Sequence, residues 1–421
     1  MPKNPKKVNN EASILTSFIP DDTSGNSEER INLLIIDQDV AAMGGAELLL
    51  NNLVEEFIKN GVIVKTVSNF NTFLGMQEEL GAKTALVPTR MNVFGGIKGL
   101  VKFLIQIPWA LIWYSLLLTK HKKEGGNLVL ISGFSDKIIA TPLARILKLP
   151  VIWIEHSTLA PVFKRNFRRP EVLYKYSLKY SDLIINPSNY SKQKLIKELG
   201  KDKIFKVIRI GIKIPPLKVI ESIKKRKNLI RKKYEIPKDA FVIGIMSRLE
   251  PEKGQDSLIQ ALGYLESKIR NIYLIIAGEG DDLNRLKRIR AETGLSKKVN
   301  FLGFVPEDDK YKIISIFDIY VFPTRWPLEG FGIAPVEAMA VGIPIVASNF
   351  GPVPEVVGDA GILVKPNEDG IKDAIFKIYK NENLRNKLGE KAQKRVELFS
   401  IKDTAIAYLL EFRKIINLYN G

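Results

Sequence analysis

Two glutamates, Glu329 and Glu337, stand with seven residues between them. Glu329 lies in a loop that continues Gly330, Phe331, Gly332. Glu337 falls about two turns into the apolar helix expected to follow. Carboxylates spaced in this way can accept hydrogen bonds at both ends of an extended polar ligand. Between them the open start of the helix, at Phe331, Gly332 and Ile333, offers unpaired backbone N–H groups and the positive end of the helix dipole, a natural seat for phosphate. A sugar at one carboxylate, a diphosphate on the helix start and a ribose at the other describe a nucleotide sugar.

Further residues of the same chemical kind stand at the ends of expected strands. Arg248 and Lys253 follow the apolar run Phe241–Met246, and Gly254 opens the next helix. Two cations at a strand end before a glycine make a second phosphate seat; the competing reading is a surface loop with incidental charge. Gly278 and Gly280 end the next strand and let a ligand approach the backbone. They begin like a dinucleotide fingerprint, but Leu283 occupies the place of its third glycine. Phe304 follows a third strand. His156 follows the run Val151–Ile154 and should face the same cleft, with a structural histidine as the plainer alternative. His121 lies among lysines and is expected at the surface. Asp37 and Asp39 have the spacing of a metal clamp without an accompanying ligand cluster, and no metal is assigned to them. Gly44 and Gly45 open the first helix after the first strand.

These residues need a scaffold of strand ends. From Ile31 onward, short apolar runs alternate with amphipathic stretches. Strands fit residues 31–36, 62–67, 128–131, 151–154, 183–185 and 205–210, with a helix from Ala46 to about Asn60. Pro215 and Pro216 interrupt the rhythm. A basic stretch rich in Lys and Arg follows, including residues 224–227 and 231–233, read as a linker plus a helix with a solvated face. The rhythm restarts at Phe241, with strands at 272–277, 299–302, 319–322, 345–347 and 362–364. Continuous apolar strands separated by helices imply parallel sheets covered on both faces. The expected organisation is therefore α/β: a disordered polar tail (residues 1–30), a doubly wound acceptor-binding domain (31–214), a linker (215–240), a doubly wound nucleotide-sugar domain (241–400) and a closing helix (401–421) that packs back toward the first domain. Ligands of such sheets bind at the carboxyl ends of the strands, so the two domains should face a central cleft.

Composition narrows the class. The chain has 421 residues, enough for two cores, and 45% of them are hydrophobic, as in globular proteins. With no cysteine, disulfides, thiolate metal sites and cysteine nucleophiles are excluded, and a reducing cytoplasm is compatible. The 64 Lys and Arg against 46 Asp and Glu leave a net charge of +18, which calls for an anionic partner. Nucleic-acid signatures are missing, so nucleotide phosphates or an anionic membrane face are the candidates and no nucleic acid is expected. Residues 103–119 carry no charge and contain Trp109, Trp113 and Tyr114. As a helix this segment would be about 26 Å long, near the lower limit of a membrane span. Lys98, Lys102, Lys120, Lys122 and Lys123 flank it. A buried crossover helix, an interfacial helix docking residues 97–123 on a membrane, and a true span all remain open.

Taken together, the motifs resemble those of the retaining nucleotide-sugar glycosyltransferases of family four, which have the GT-B fold. The resemblance runs from Ile31 to the C-terminal helix and is strongest from Phe241 to Gly361. It rests on the two spaced glutamates, the Gly342 and Pro344 turn after them, Ser247, Arg248 and Leu249 with Lys253 and Gly254, and the loop Gly44, Gly45, Ala46, Glu47. It implies that Glu329 contacts the donor sugar and Glu337 the ribose. Arg248 and Lys253 would neutralise the departing diphosphate, helped by backbone amides near Gly330–Ile333 and Gly45. Gly278 would line the nucleotide, the Phe304 loop would hold the base, and His156 would touch the sugar. The implied reaction retains anomeric configuration by same-face attack and needs no metal or other cofactor. The acceptor would be a glycan or a lipid-linked molecule, and the protein would be cytoplasmic, peripheral on the inner face of the membrane. Arg325, Trp326 and Pro327 stand where the family varies. Lys164, Arg165, Arg168 and Arg169 follow His156, and two readings stay open for them: a solvated face, or a seat for an acceptor phosphate or an anionic lipid. A nucleotide-sugar epimerase on the same fold, and a non-enzymatic basic membrane-associated protein, are the rival readings.

Overall fold

The structure, a computed structural model, describes residues 30–38, 44–87, 96–157, 159–160, 163, 169–200, 203–326 and 329–421. The expected tail up to residue 29, Asp39, Lys164, Arg165, Arg168 and Pro327 lie outside the described residues, and only the backbone is described for Lys98 and Arg169.

Seven strands form the first sheet: β1 (Asn32–Asp37), β2 (Ile63–Ser68), β3 (Lys83–Leu86), β4 (Leu128–Ile131), β5 (Val151–Ile154), β6 (Leu183–Asn186) and β7 (Phe205–Val207). Their order is β3-β2-β1-β4-β5-β6-β7, and the pairings are parallel. The second sheet has six strands: β8 (Phe241–Met246), β9 (Ile272–Ala277), β10 (Val299–Gly303), β11 (Ile319–Phe322), β12 (Ile345–Ser348) and β13 (Gly361–Val364). It runs β10-β9-β8-β11-β12-β13, again in parallel. Leu33 to Ile36 and Val129 to Ile131 are fully buried, because helices cover both faces and leave no polar side to the strand. Each order reverses once, at β1/β4 and at β8/β11, and a crevice opens outside the strand ends at such a switch point. The sheets are the two doubly wound, Rossmann-like layers expected from the sequence.

Six helices matter most in positioning the site from the first lobe and the crossing. They are α1 (Gly45–Lys59), α2 (Gly96–Lys123), α3 (Phe134–Ile146), α4 (Asn189–Leu199), α5 (Leu217–Lys225) and α6 (Lys227–Lys233). The second lobe adds α7 (Gln255–Glu266), α8 (Glu307–Ser315), α9 (Ile333–Val341) and α10 (Val353–Val357), and α11 (Ile401–Asn420) closes the chain. α11 lies on α1, with Phe57 packed on Phe412 and Tyr408 at ring separations of 5.4 and 6.1 Å.

Three local expectations need correction. The strand expected at 205–210 ends at Val207, because the chain leaves the sheet to cross between lobes. At that crossing Ile212 pairs with Ser400 in an isolated parallel bridge. The basic stretch after Pro216 is two helices rather than a linker with one, and its charge is not all solvated. Arg231 is buried, donating to the carbonyls of Ile316 (2.7 Å) and Ala240 (3.0 Å) and pairing with Asp318 at 2.8 Å. A guanidinium can cap exposed carbonyl ends in this way because it carries five donors. Finally, α9 begins at Ile333, capped by Gly332 at φ +94°. Glu337 is therefore one turn rather than two from the helix start.

Candidate active site

Every candidate residue except Glu337 lies at or just beyond the carboxyl end of a strand. Beyond β8 a short 3-10 turn, Pro251–Lys253, carries Lys253, and Gly254 turns the chain into α7 with φ +79°. A Cβ at 254 would overlap the carbonyl of Pro323, so only glycine lets the two strand ends approach this closely. Lys253 Nζ meets Glu329 Oε2 at 2.9 Å, with both side chains nearly buried. Arg248 instead stays largely in solvent and pairs with Glu250 at 2.8 Å. Gly278 has φ +126° and backs onto the carbonyl of Ser247, while its N–H donates to Gly303 at 2.8 Å. Phe304 is exposed, and its N–H lies 3.3 Å from Glu279 Oε1.

Glu337 has a partner the sequence reading missed. Lys310, on α8, reaches Glu337 Oε1 at 2.6 Å and also contacts Glu307. Burial raises the carboxyl of Glu337 against the pull of Lys310. For Lys310, burial works against the charge, but Glu337 and Glu307 outweigh it and raise the ammonium above its ordinary value. Nothing in the local spacing pointed to this pair, since its members are 27 positions apart on different helices. Tyr320, on β11, donates to the carbonyl of Met246 at 2.9 Å and so holds the end of β8.

The first lobe meets this rim mostly through backbone. A Cβ at Gly330 would overlap the carbonyl oxygen of His156, and one at Gly45 would lie 3.0 Å from Ile333 Cδ1. Ser188 Oγ donates to the carbonyl of Gly330 at 3.1 Å. On α10, the Glu355 carboxylate accepts from the N–H groups of Asn189 (2.9 Å) and Tyr190 (2.6 Å) at the start of α4. An anion at a helix N-terminus satisfies donors that have no partner within the helix. Gly45, His156, Gly330, Ile333 and the Lys253–Glu329 loop are thus gathered at one seam.

His156 lies 3.5 Å from Ser132 Oγ through Nε2. Burial, with the Lys137 ammonium second, pulls its imidazole down to about 4. It is neutral at pH 7, suited to hydrogen bonding with a hydroxyl rather than to donating a proton. Beneath it Lys137 donates to the carbonyl of Ile154 at 2.7 Å and pairs with Glu155, which also accepts from Tyr174. A second buried cluster lies at the end of β1. Asp136 accepts from the N–H of Gln38 at 2.9 Å and from the hydroxyl of Tyr114. Asp37 is buried at the end of β1. Among the described residues no group of three or more His, Asp or Glu side chains could hold a metal ion.

His121 is not at the surface. It is buried, with Nε2 at 3.3 Å from the carbonyl of Leu128, in space left by Gly126. Burial pulls it to about 4. Its lysine neighbours misled the sequence reading: Lys120, Lys122 and Lys123 are exposed, while residue 121 turns inward on the same helix.

α2 itself is divided lengthwise. Phe103, Tyr114 and Leu118 are buried in the first lobe, so one side of the helix is covered by protein, although Val101–Lys123 is long and apolar enough to cross a membrane. Val101, Leu104, Ile105, Trp109, Leu111, Ile112 and Leu116 are 40–75% exposed, which excludes a wholly buried crossover helix.

Residues 226–395 match the family described as glycosyl transferases group 1. The chain carries this match over α6 and most of its second lobe. It is 29% identical over 297 residues to an uncharacterized glycosyltransferase of Methanocaldococcus jannaschii, covering 68% of this chain and 74% of that one. It is 30% identical over 191 residues to a GDP-mannose-dependent alpha-(1-6)-phosphatidylinositol monomannoside mannosyltransferase of Mycobacterium tuberculosis, covering 44% of this chain and 49% of that protein. The match thus spans only about half of that relative. The structure of Anabaena HepE in complex with UDP superposes with a TM-score of 0.75 at 20% identity, covering 90% of this chain and 100% of that one. The two-domain GT-B architecture is shared.

Proposed function

We propose that the chain is a glycosyltransferase that moves a hexose from a UDP- or GDP-sugar to a glycan or lipid-linked acceptor, with retention and without a metal. The observation that carries the reading is the Lys253–Glu329 pair at 2.9 Å, set beside the start of α9. Cleaving a sugar–phosphate bond creates an oxocarbenium-like sugar and a diphosphate that gains charge. Lys253, Arg248 released from Glu250, and the α9 amides would stabilise that charge most in the transition state, where fixed donors help most. Glu329 would steady the sugar hydroxyls, and Glu337 would accept from the ribose. The acceptor oxygen forms its bond on the face the phosphate leaves, and its proton passes to the departing phosphate oxygen. The GDP-mannose relative and the UDP-bound HepE both support a nucleoside diphosphate donor.

Lys253→Ala and Glu329→Ala are each expected to lower kcat/KM with the active donor by more than about 2 kcal/mol of transition-state stabilisation. Near-normal turnover in both variants would sink these roles. Full activity in EDTA is expected; strict metal dependence would return attention to Asp37 and Asp39. Incubation with donor alone separates transfer from epimerisation, since an epimerase needs no acceptor.

The exposed apolar face of α2 supports a membrane partner. Its seven side chains include Trp109, and the exposed Lys102, Lys120, Lys122 and Lys123 flank them, a pattern suited to an anionic bilayer. Such docking would place the first lobe at the cytoplasmic leaflet, beside a lipid-linked acceptor. Sedimentation with phosphatidylglycerol vesicles at low salt tests this, and protein left in the supernatant would exclude it.

A further inference from the structure

Residues 323–326 run from the end of β11 across the turn that carries Lys253. The fit is backbone to backbone first. The carbonyl of Pro323 occupies the space where a side chain at Gly254 would be, and the N–H of Arg325 donates to the carbonyl of Glu252 at 2.7 Å. The Arg325 guanidinium then adds a bond to the carbonyl of Pro251 at 2.9 Å and one to Ser257 Oγ at 3.1 Å. It also grips both oxygens of Asp256, at 2.7 and 2.6 Å. Arg285 holds the same carboxylate at 3.1 Å. Burial acts to raise the carboxyl of Asp256, but the bonds from Arg325, the Ser257 N–H and Arg285 leave it below its ordinary value. The next residue, Trp326, sets its ring 5.5 Å from Lys253 Nζ. The Lys253 ammonium is therefore held from three sides: by its own turn, by Glu329 and by an aromatic face.

These three holds are not equivalent when a diphosphate arrives. Glu329 competes with phosphate for the ammonium, and it is also needed at the donor sugar. The indole face attracts a cation without carrying a net charge, so it can keep Lys253 in place while leaving its full charge to the phosphate. One guanidinium nitrogen of Arg325 meets both oxygens of Asp256 at the start of α7, which anchors the side chain that ties down the turn.

We propose that Arg325 and Trp326 are positioning residues for the diphosphate of the donor: Arg325 locks the Pro251–Lys253 turn, and Trp326 holds the Lys253 ammonium toward the leaving group. This rests on the reading that the site binds a nucleoside diphosphate. It adds a role for residues outside the spaced glutamates and the arginine–lysine motif.

The test is calorimetric binding of UDP, UMP, GDP and GMP to the wild-type protein and to Trp326→Leu, Trp326→Phe and Arg325→Ala. The ratio of diphosphate to monophosphate affinity reports what the second phosphate gains from Lys253, with Lys253→Ala as the reference for full loss. Trp326→Leu is expected to lower that ratio about tenfold, the size of a partly desolvated cation–π contact. Arg325→Ala should lower it similarly, and Trp326→Phe should keep most of it. Monophosphate affinity should not change. Equal losses for mono- and diphosphates would show a merely structural role and overturn the inference, as would a ratio that survives both Trp326→Leu and Arg325→Ala. Thermal melts of the variants separate misfolding from both, and Trp326→Phe keeps the aromatic volume if the leucine variant fails to fold. Absence of any nucleotide binding by the wild-type protein would instead sink the proposed function, and this inference with it.

Discussion

The two lobes share a fold and differ in how they present charge. In the second lobe the candidate groups sit at the cleft rim as pairs, Lys253 with Glu329 and Lys310 with Glu337. In the first lobe the charges near the cleft are buried beneath it, as Lys137 with Glu155 and Asp136 with Tyr114. What that lobe shows the rim is uncharged: a neutral histidine and its backbone carbonyl, Gly45, the Ser188 hydroxyl and the N–H groups that open α4. One lobe offers paired charges to the cleft, which suits the charged donor proposed for it. The other keeps its charges inside, where they hold shape.

The comparison can be broken most forcefully at Lys310. Replacing it with Met leaves Glu337 nearly buried without its cation. Breaking such a pair is expected to cost about 3 kcal/mol of stability, read by urea denaturation at pH 7.5, with Glu337→Gln restoring most of it in the double variant. A loss below about 1 kcal/mol would mean that the rim pairs behave like surface pairs. Gly330→Ala tests the neutral side of the seam. Its Cβ must displace the carbonyl of His156, and overpacking of this kind costs about 2 kcal/mol. Wild-type stability and nucleotide affinity in that variant would mean the seam is loose.

Acid tests the buried histidine of the first lobe. Folding holds His121 near a pKa of about 4, while the unfolded chain takes up its proton near 6.5. The unfolded state therefore binds more protons as pH falls. The contribution is intact above pH 6.5 and is lost on the way down to about 4, amounting to roughly 2 kcal/mol by pH 5. Denaturant midpoints at pH 7.5 and pH 5 should differ less in His121→Gln than in the wild type; equal differences would place His121 in water. The smallest effect concerns α2. Trp109→Ser should weaken partitioning onto phosphatidylglycerol vesicles about tenfold, from the apolar area it removes. Unchanged partitioning would move the docking face elsewhere.

Which features could be read from the sequence follows from how local their signals are. The strand-end residues Arg248, Gly278, Phe304 and Glu329 were placed correctly because a strand, its terminating turn and the following helix occupy one short window. Gly332 and Gly342 marked the ends of α9 for the same reason, both adopting positive φ there. The pairing of Lys310 with Glu337 was illegible, because it depends on how α8 and α9 lie against each other. His121 was misread because a run of lysines says how charged a segment is, not which way one side chain on a helix turns. Residues 103–119 left three readings open, since hydropathy averages over faces that the fold treats differently. Nothing in the spacing of Arg325 and Trp326 marks a role for them, because the Pro251–Lys253 turn they cover is remote in the sequence.

The chain passes between the lobes twice, near Ile212 and near Ser400, and the two passages are bonded side by side: Ile212 N–H to the Phe399 carbonyl at 2.8 Å, and Ile401 N–H to the Ile212 carbonyl at 3.0 Å. Gly211 is pressed so closely against Ser400 that any larger residue would collide with it. A single tether would leave the lobes free to swivel about several axes. A doubled one behaves as a strip, stiff to twist and compliant to one bend. Any widening of the cleft is thereby steered into a single degree of freedom, and the lobes can return to the same register each time they close.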